Sequence, residues 1–233
     1  MKIHPELAEL LELDDEKLRF KRIGDFIERD PVLAQTAGKH LVDSTGPRER
    51  RLGADVLGQL ATMVLGARGQ IAGDLLAALD LRDDGDVVAS FAIALGHAAD
   101  PRAKELLIGL SEHPDSSVRF AVAFALPALG LDERTVDALR LLCGDVDPDV
   151  RDWATFALAE SDATDEKTRR VLLARSRDPD GDTRAEAIYG LARRRDPTAR
   201  GLIERELAST QVGELILRAR DELADGSSAD NER

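Results

Sequence analysis

Small and apolar side chains recur along this chain at helical spacing, and four stretches carrying them align: residues 84–95, 115–126, 147–158 and 180–191. Each opens on Asp, reaches a Val or Thr three residues later and closes on Leu after an Ala-containing run. With that Val or Thr as position zero, positions four, seven and eight are small or apolar in every copy. They are Phe91, Ala94 and Leu95; Val122, Ala125 and Leu126; Ala154, Ala157 and Leu158; and Ala187, Gly190 and Leu191. At about 100° per residue these positions form one stripe, and its small members admit a neighbouring helix at short range. Asp84, Asp115, Asp147 and Asp180 stand where a helix N-cap belongs, and Pro148 follows at the first helical position of the third copy.

Shorter amphipathic stretches lie between these helices, at 71–79, 102–110, 135–142, 167–174 and 198–207, so each unit reads as a helical hairpin. The copies recur at intervals of 31, 32 and 33 residues. A period sustained over four copies predicts a solenoid, in which each unit buries its apolar face only against its neighbours. Residues 48–60 fit the template with Glu49 and Leu57 at positions zero and eight. Residues 15–27 fit it loosely through Leu18, Arg19 and Phe26. The expected architecture is all-α, an α-α superhelix of about six to seven hairpins forming one domain over residues 1–225. Within it, 1–44 are degenerate N-terminal capping hairpins, 45–208 the repeats and 209–225 a closing helix read at 212–223; 226–233 are expected to be a disordered, solvated tail.

Composition supports packed helices: the chain is 43% hydrophobic but only 3% aromatic. Its formal charge of −13 repels phosphate backbones and anionic lipid surfaces, so neither nucleic acid nor membrane is an expected partner. No run approaches the roughly 18 apolar residues of a membrane span. The first twenty residues carry Glu6, Glu9, Glu12, Asp14, Asp15 and Glu16, unlike a signal peptide. A single cysteine, Cys143, leaves no internal disulfide and suits a cytoplasmic protein.

Chemistry is sparse. His4, His40, His97 and His113 never fall three or four residues apart, so no helix edge presents a two-histidine metal site. There is no phosphate-cradling glycine loop and no nucleophile elbow. The clusters Asp145, Asp147, Asp149 and Asp178, Asp180, Asp182 are explained by capping, and Cys143, in Leu-Leu-Cys-Gly, by burial at a helix end. Neither catalytic residues, metal ligands nor a cofactor are expected.

The element Asp-Pro-Asp-Val-Arg followed by an Ala-rich helix ending in Leu, clearest at 147–158, resembles the HEAT repeat, especially the short form of phycobilisome-lyase-like proteins, over roughly residues 30 to 210. The resemblance implies that the helix beginning Val-Arg is the second of each pair and lines the concave side of the superhelix. It also implies that Arg119, Arg151 and Arg184 pair with acidic groups of adjacent turns as a ladder, interrupted where Val88 replaces the Arg. HEAT-like hydroxylases hold iron through His-Glu pairs, but here the histidines precede Pro5, Leu41, Ala98 and Pro114. HEAT-like DNA glycosylases suggest a comparison with Asp152 and Trp153, against which the acidic charge stands.

Positions two and six of the second helix point away from the core stripe. Position six reads Ile93, Phe124, Phe156 and Tyr189, Phe120 lies at position two, and Trp153 flanks the same face. Five of the eight aromatic residues thus converge on one expected surface, rimmed by Asp152, Glu160, Glu186 and Arg193. Such a strip marks an interaction site; the opposing reading is that the rings pack between units and fill the inner wall. The candidate binding residues are Ile93, Phe120, Phe124, Asp152, Trp153, Phe156, Tyr189 and Arg193. The expected function is a non-catalytic scaffold, monomeric or weakly dimeric, for a protein or peptide with basic residues beside apolar anchors. The alternative is a chaperone or lyase for a flat chromophore.

Overall fold

A computed structural model describes residues 3–208 and 213–230, with side chains through residue 224. Among the described residues the secondary structure is entirely helical. The chain partitions into two compact units, Met1–Gly130 and Leu131–Arg233, where the sequence reads as one uninterrupted domain.

Unit 1 contains α1 (Pro5–Leu11), α2 (Glu16–Arg29), α3 (Pro31–Val42), α4 (Pro47–Met63), α5 (Arg68–Ala78), α6 (Gly85–Ala98), α7 (Lys104–Gly109) and α8 (Ser116–Ala125). Unit 2 contains α9 (Glu133–Leu142), α10 (Pro148–Glu160), α11 (Glu166–Arg175), α12 (Gly181–Arg193), α13 (Ala199–Leu207) and α14 (Glu214–Asp230). Helix α14 runs seven residues past Leu223, the end read from sequence, and into the stretch expected as tail; Val212 and residues 231–233 lie outside the described residues.

The four aspartates cap as their positions predict. Asp84 accepts from the backbone N–H of Asp86, Asp115 from Ser117, Asp147 from Asp149 and Asp180 from Thr183, at 2.7–3.0 Å. The helices so started stack side by side and against α4 and α14, with α4 on α6 on α8 in unit 1 and α10 on α12 on α14 in unit 2. Their position-eight leucines, Leu57, Leu95, Leu126, Leu158 and Leu191, are all 0% exposed, and each such burial favours the folded state by about 1.5–3 kcal/mol.

What sets the spacing of the stack is a seam of glycine against alanine. A Cβ added to Gly58 would lie 3.0 Å from Ala94 Cα, one on Gly96 2.7 Å from Ala125 Cβ, and one on Gly190 2.8 Å from Ala159 Cβ. In all three contacts position nine of one helix meets position seven of the next, so the small-residue stripe fixes register as well as distance. Pro127 shortens α8 relative to its siblings. It lacks the N–H that a continuing α-helix requires, and the chain passes through a 3₁₀ turn, Leu126–Leu129, to Gly130 at φ +91°.

The arginine ladder that the resemblance implies has a second function, because the same side chains also reach backward to backbone carbonyls. Arg119 donates to the carbonyls of His113 and Pro114, Arg151 to those of Asp145 and Val146, and Arg184 to those of Asp178 and Pro179, all at 2.8–3.1 Å. The residue after position zero thus folds back to tie down the turn preceding its own helix. Arg19, in the loosest copy, reaches the Leu13 carbonyl in the same way. A pairing to the next turn is well formed at Arg151, whose guanidinium meets both oxygens of buried Asp178 at 3.1 Å; Arg184 to Glu206 is 3.8 Å. Arg50 does both tasks, donating to the Val42 carbonyl and to Asp83, and so carries the ladder up to the position where Val88 interrupts it.

Candidate functional site

In unit 2, α10 and α12 present the strip residues at positions dictated by their register. Trp153 and Phe156 stand edge to face, ring centroids 5.8 Å apart, and Phe156 is 40% exposed. A large aromatic in the open on a helix whose opposite face is fully packed is not required by the fold.

Tyr189 is the clearest correction to the expected surface. It is only 3% exposed, because α14 packs against α12 and lays Arg218 over the ring at 4.9 Å, with Arg218 also donating to the phenol oxygen at 3.0 Å. The covering residue follows Tyr189 by 29 positions and belongs to no copy of the template, so the alignment carried no sign of it. Arg193 is likewise engaged: it donates to the Ala159 carbonyl at 2.8 Å, securing the last turn of α10, and pairs with Glu160 at 3.3 Å.

Asp152 sits beside the aromatic pair with Glu186 of α12. One carboxylate oxygen of each is buried without a hydrogen-bond partner. Burial, followed by repulsion from Asp180, Asp182 and Asp149, pushes the Asp152 carboxyl up to about 6. Burial, then repulsion from Asp152 and Glu160, pushes Glu186 up to about 7, with Arg218 opposing. Within the rim named from sequence, Arg193 thus answers Glu160, while Asp152 and Glu186 are left short of donors.

Both values exceed those of the unfolded chain, so the folded protein binds more protons between about pH 4 and pH 7. Stability from this pair is greatest when both are protonated and is lost as pH rises through that window. Glu186→Gln is expected to flatten the dependence of melting temperature on pH between about 5 and 8, and to stabilise the protein at pH 8 by on the order of 1 kcal/mol after solvent screening. Thermal unfolding at a series of pH values measures this; an unchanged slope would contradict the assignment.

In unit 1 the remaining strip residues are half-buried: Phe120, Phe124 and Ile93. Phe124 meets the imidazole of His97 edge to face at 5.3 Å. Ile93 lines a cavity among α2, α4 and α6 that the aromatic pattern did not indicate. The position-six residue of α4 is Asp55, a carboxylate where the later helices carry apolar groups. That departure from the template was the available signal.

Among the described residues there is no group of three or more His, Cys, Asp and Glu side chains able to hold a metal, and no helix long and apolar enough to cross a membrane. Cys143 is buried, and burial pushes its thiol up to about 12, away from thiolate chemistry.

A family model for HEAT repeats matches residues 73–159. Protein YibA of Escherichia coli K12 is 33% identical over 110 residues, covering 47% of this chain and 39% of YibA; YibA of Escherichia coli O157:H7 aligns to the same extent. The chain therefore spans about two fifths of the length of the curated relatives it matches. The X-ray structure of Escherichia coli YibA superposes with a TM-score of 0.71 at 22% identity, covering 97% of this chain and 89% of that one. The crystal structure of an engineered protein gives a TM-score of 0.61 at 22% identity, covering 83% and 97%. At that identity both likenesses speak to the fold alone.

Proposed function

Because this chain is a HEAT-like repeat protein, we propose that it works without chemistry of its own, as a scaffold that captures a protein segment carrying basic residues beside apolar anchors. The observation that carries this reading is the exposed Phe156 packed on Trp153 beside Asp152 and Glu186, two carboxylates with unanswered oxygens. An apolar anchor covering Phe156 would contribute about 1.5–3 kcal/mol. A lysine or arginine beside it would supply the missing donors and offset the burial and the repulsion from neighbouring carboxylates that raise both groups. A few such contacts suffice for micromolar binding once association costs are met. The site is narrower than the strip read from sequence, since Tyr189 is covered and Arg193 is tied to α10.

A pair of designed peptides tests it: one alternating leucine with lysine, and one of the same length alternating leucine with glutamate. The basic peptide is expected to bind, with Phe156→Ser weakening it at least about tenfold, a loss of about 1.4 kcal/mol. Fluorescence anisotropy reads both. Equal affinity for the acidic peptide, or unchanged binding by a folded Phe156→Ser protein, would defeat the proposal.

A further inference from the structure

The cavity of unit 1 lies among three helices, α2, α4 and α6, and has a volume of about 250 Å³. That is room for about eight waters at about 30 Å³ each, or for a molecule the size of leucine or phenylalanine. We infer that it is a binding site for a small zwitterion of the α-amino-acid class bearing an apolar side chain.

The charges in the wall carry the inference. Asp55 is recessed in the middle of α4, where it has no helix terminus to cap, and burial pushes its carboxyl up to about 6 in spite of Arg51, Arg19 and a hydrogen bond from Ser90. A carboxylate held in such a place costs stability, and an ammonium or amide donor would offset the cost. The two guanidiniums beside it are only loosely engaged. Arg51 reaches Glu16 at 3.3 Å and Asp86 at 3.5 Å, Arg19 reaches Glu16 at 3.5 Å and the Leu13 carbonyl at 3.3 Å, and Arg51 Nε is buried with no hydrogen-bond partner. Planar guanidinium donors of this kind suit a carboxylate.

Two acids, Glu16 and Asp55, and two bases, Arg19 and Arg51, leave the lining formally neutral. His97 does not alter the balance, because burial and then Arg68 lower its pKa and keep the imidazole uncharged near pH 7. A plain amine would be attracted by Asp55 but repelled by both guanidiniums, and a plain carboxylate would meet the reverse. A molecule holding ammonium and carboxylate a few ångströms apart satisfies both sides. Beside the neutral polar groups of Gln59 and Ser90, the lining holds apolar side chains: Ile23, Ile93 and Ala94 form a wall, and Phe20, 63% exposed, stands in position to cover a side chain.

Calorimetry and thermal shift on the full chain test this with four probes: L-leucine, L-phenylalanine, 3-phenylpropionate, which lacks the ammonium, and phenethylamine, which lacks the carboxylate. At about 10 mM either amino acid is expected to raise the melting temperature by a few degrees, and both single-charge analogues to bind at least about tenfold more weakly than L-phenylalanine. Asp55→Asn and Arg51→Gln should each weaken amino-acid binding by about tenfold or more. Failure of both amino acids to bind at that concentration would overturn the inference. So would analogues binding as well as L-phenylalanine, or folded variants binding like the unsubstituted chain. The analogue comparison needs no substitution, so it stands even where a variant misfolds. The site is confined to unit 1 and does not depend on the peptide reading of unit 2.

Discussion

Gly96→Val is expected to destabilise unit 1 by about 3 kcal/mol or more, with Gly96→Ala costing about 1–3 kcal/mol. Position 96 has no free volume: a Cβ there would fall 2.7 Å from Ala125 Cβ and 2.8 Å from Ala125 Cα. The second of these atoms belongs to the backbone of α8, so relief requires moving the helix and not turning a side chain. Displacing α8 from α6 would disturb burial on both, including Leu95 and Leu126, each 0% exposed. Helix propensity points the other way, since Ala is favoured over Gly in a helix interior by about 1 kcal/mol. A destabilising result is therefore a measure of packing alone. Ala125→Gly in the Gly96→Ala background removes one of the two close contacts and should restore part of the loss, a coupling that a double-mutant cycle in urea denaturation isolates. A neutral Gly96→Ala protein would show that the seam does not set the helix spacing.

Arg194→Met is expected to cost about 3–5 kcal/mol in unit 2. Arg194 follows α12 and sends its guanidinium to the end of α10, donating to the carbonyls of Leu158, Ala159, Ser161 and Ala163, to Ser161 Oγ, and to Gly190 on its own helix. The last carbonyls of a helix have no intrahelical partner, and here one side chain satisfies several of them. Methionine keeps most of the apolar stem but supplies no donors, so the carbonyls of Ser161 and Ala163 lose this partner, whereas Leu158 keeps Ser161 and Ala159 keeps Arg193. Arg194→Lys should rescue little, because a single ammonium cannot reach acceptors spread over five residues. Chemical denaturation of the two variants gives both numbers; a lysine variant as stable as the unsubstituted chain would refute the fork argument.

These two positions differ in how readable they were. The template made position seven small in each aligned copy, and Gly190 and Ala125 at that position do lie in the seam. The position-nine partners, Gly58, Gly96 and Ala159, were not picked out, because a stripe on one helix says nothing of which residue of the next helix meets it. Arg194 stands at position eleven, beyond the template, and its acceptors are backbone atoms that no pattern of side chains records.

The candidate site divides in the same way. Periodicity placed Phe156, Trp153 and Asp152 on the face opposite the core stripe, and Phe156 is indeed exposed. It placed Tyr189 there too, where Arg218 covers it. Asp55 and His97 stand at positions six and ten of their helices, on the face that carries the strip. Looking only for aromatic side chains on that face passed over the charged ones.

The sequence by itself determined the helices, their caps, the stripe each would bury and the hairpin repeat, because these depend on residues within a few turns of one another. Tertiary structure alone decided which outward-facing groups stay outward and where helices part enough to leave a cavity. It also decided which arginines reach backbone carbonyls as well as carboxylates. Those outcomes rest on contacts between residues about thirty positions apart, and their geometry is set by how closely neighbouring helices approach.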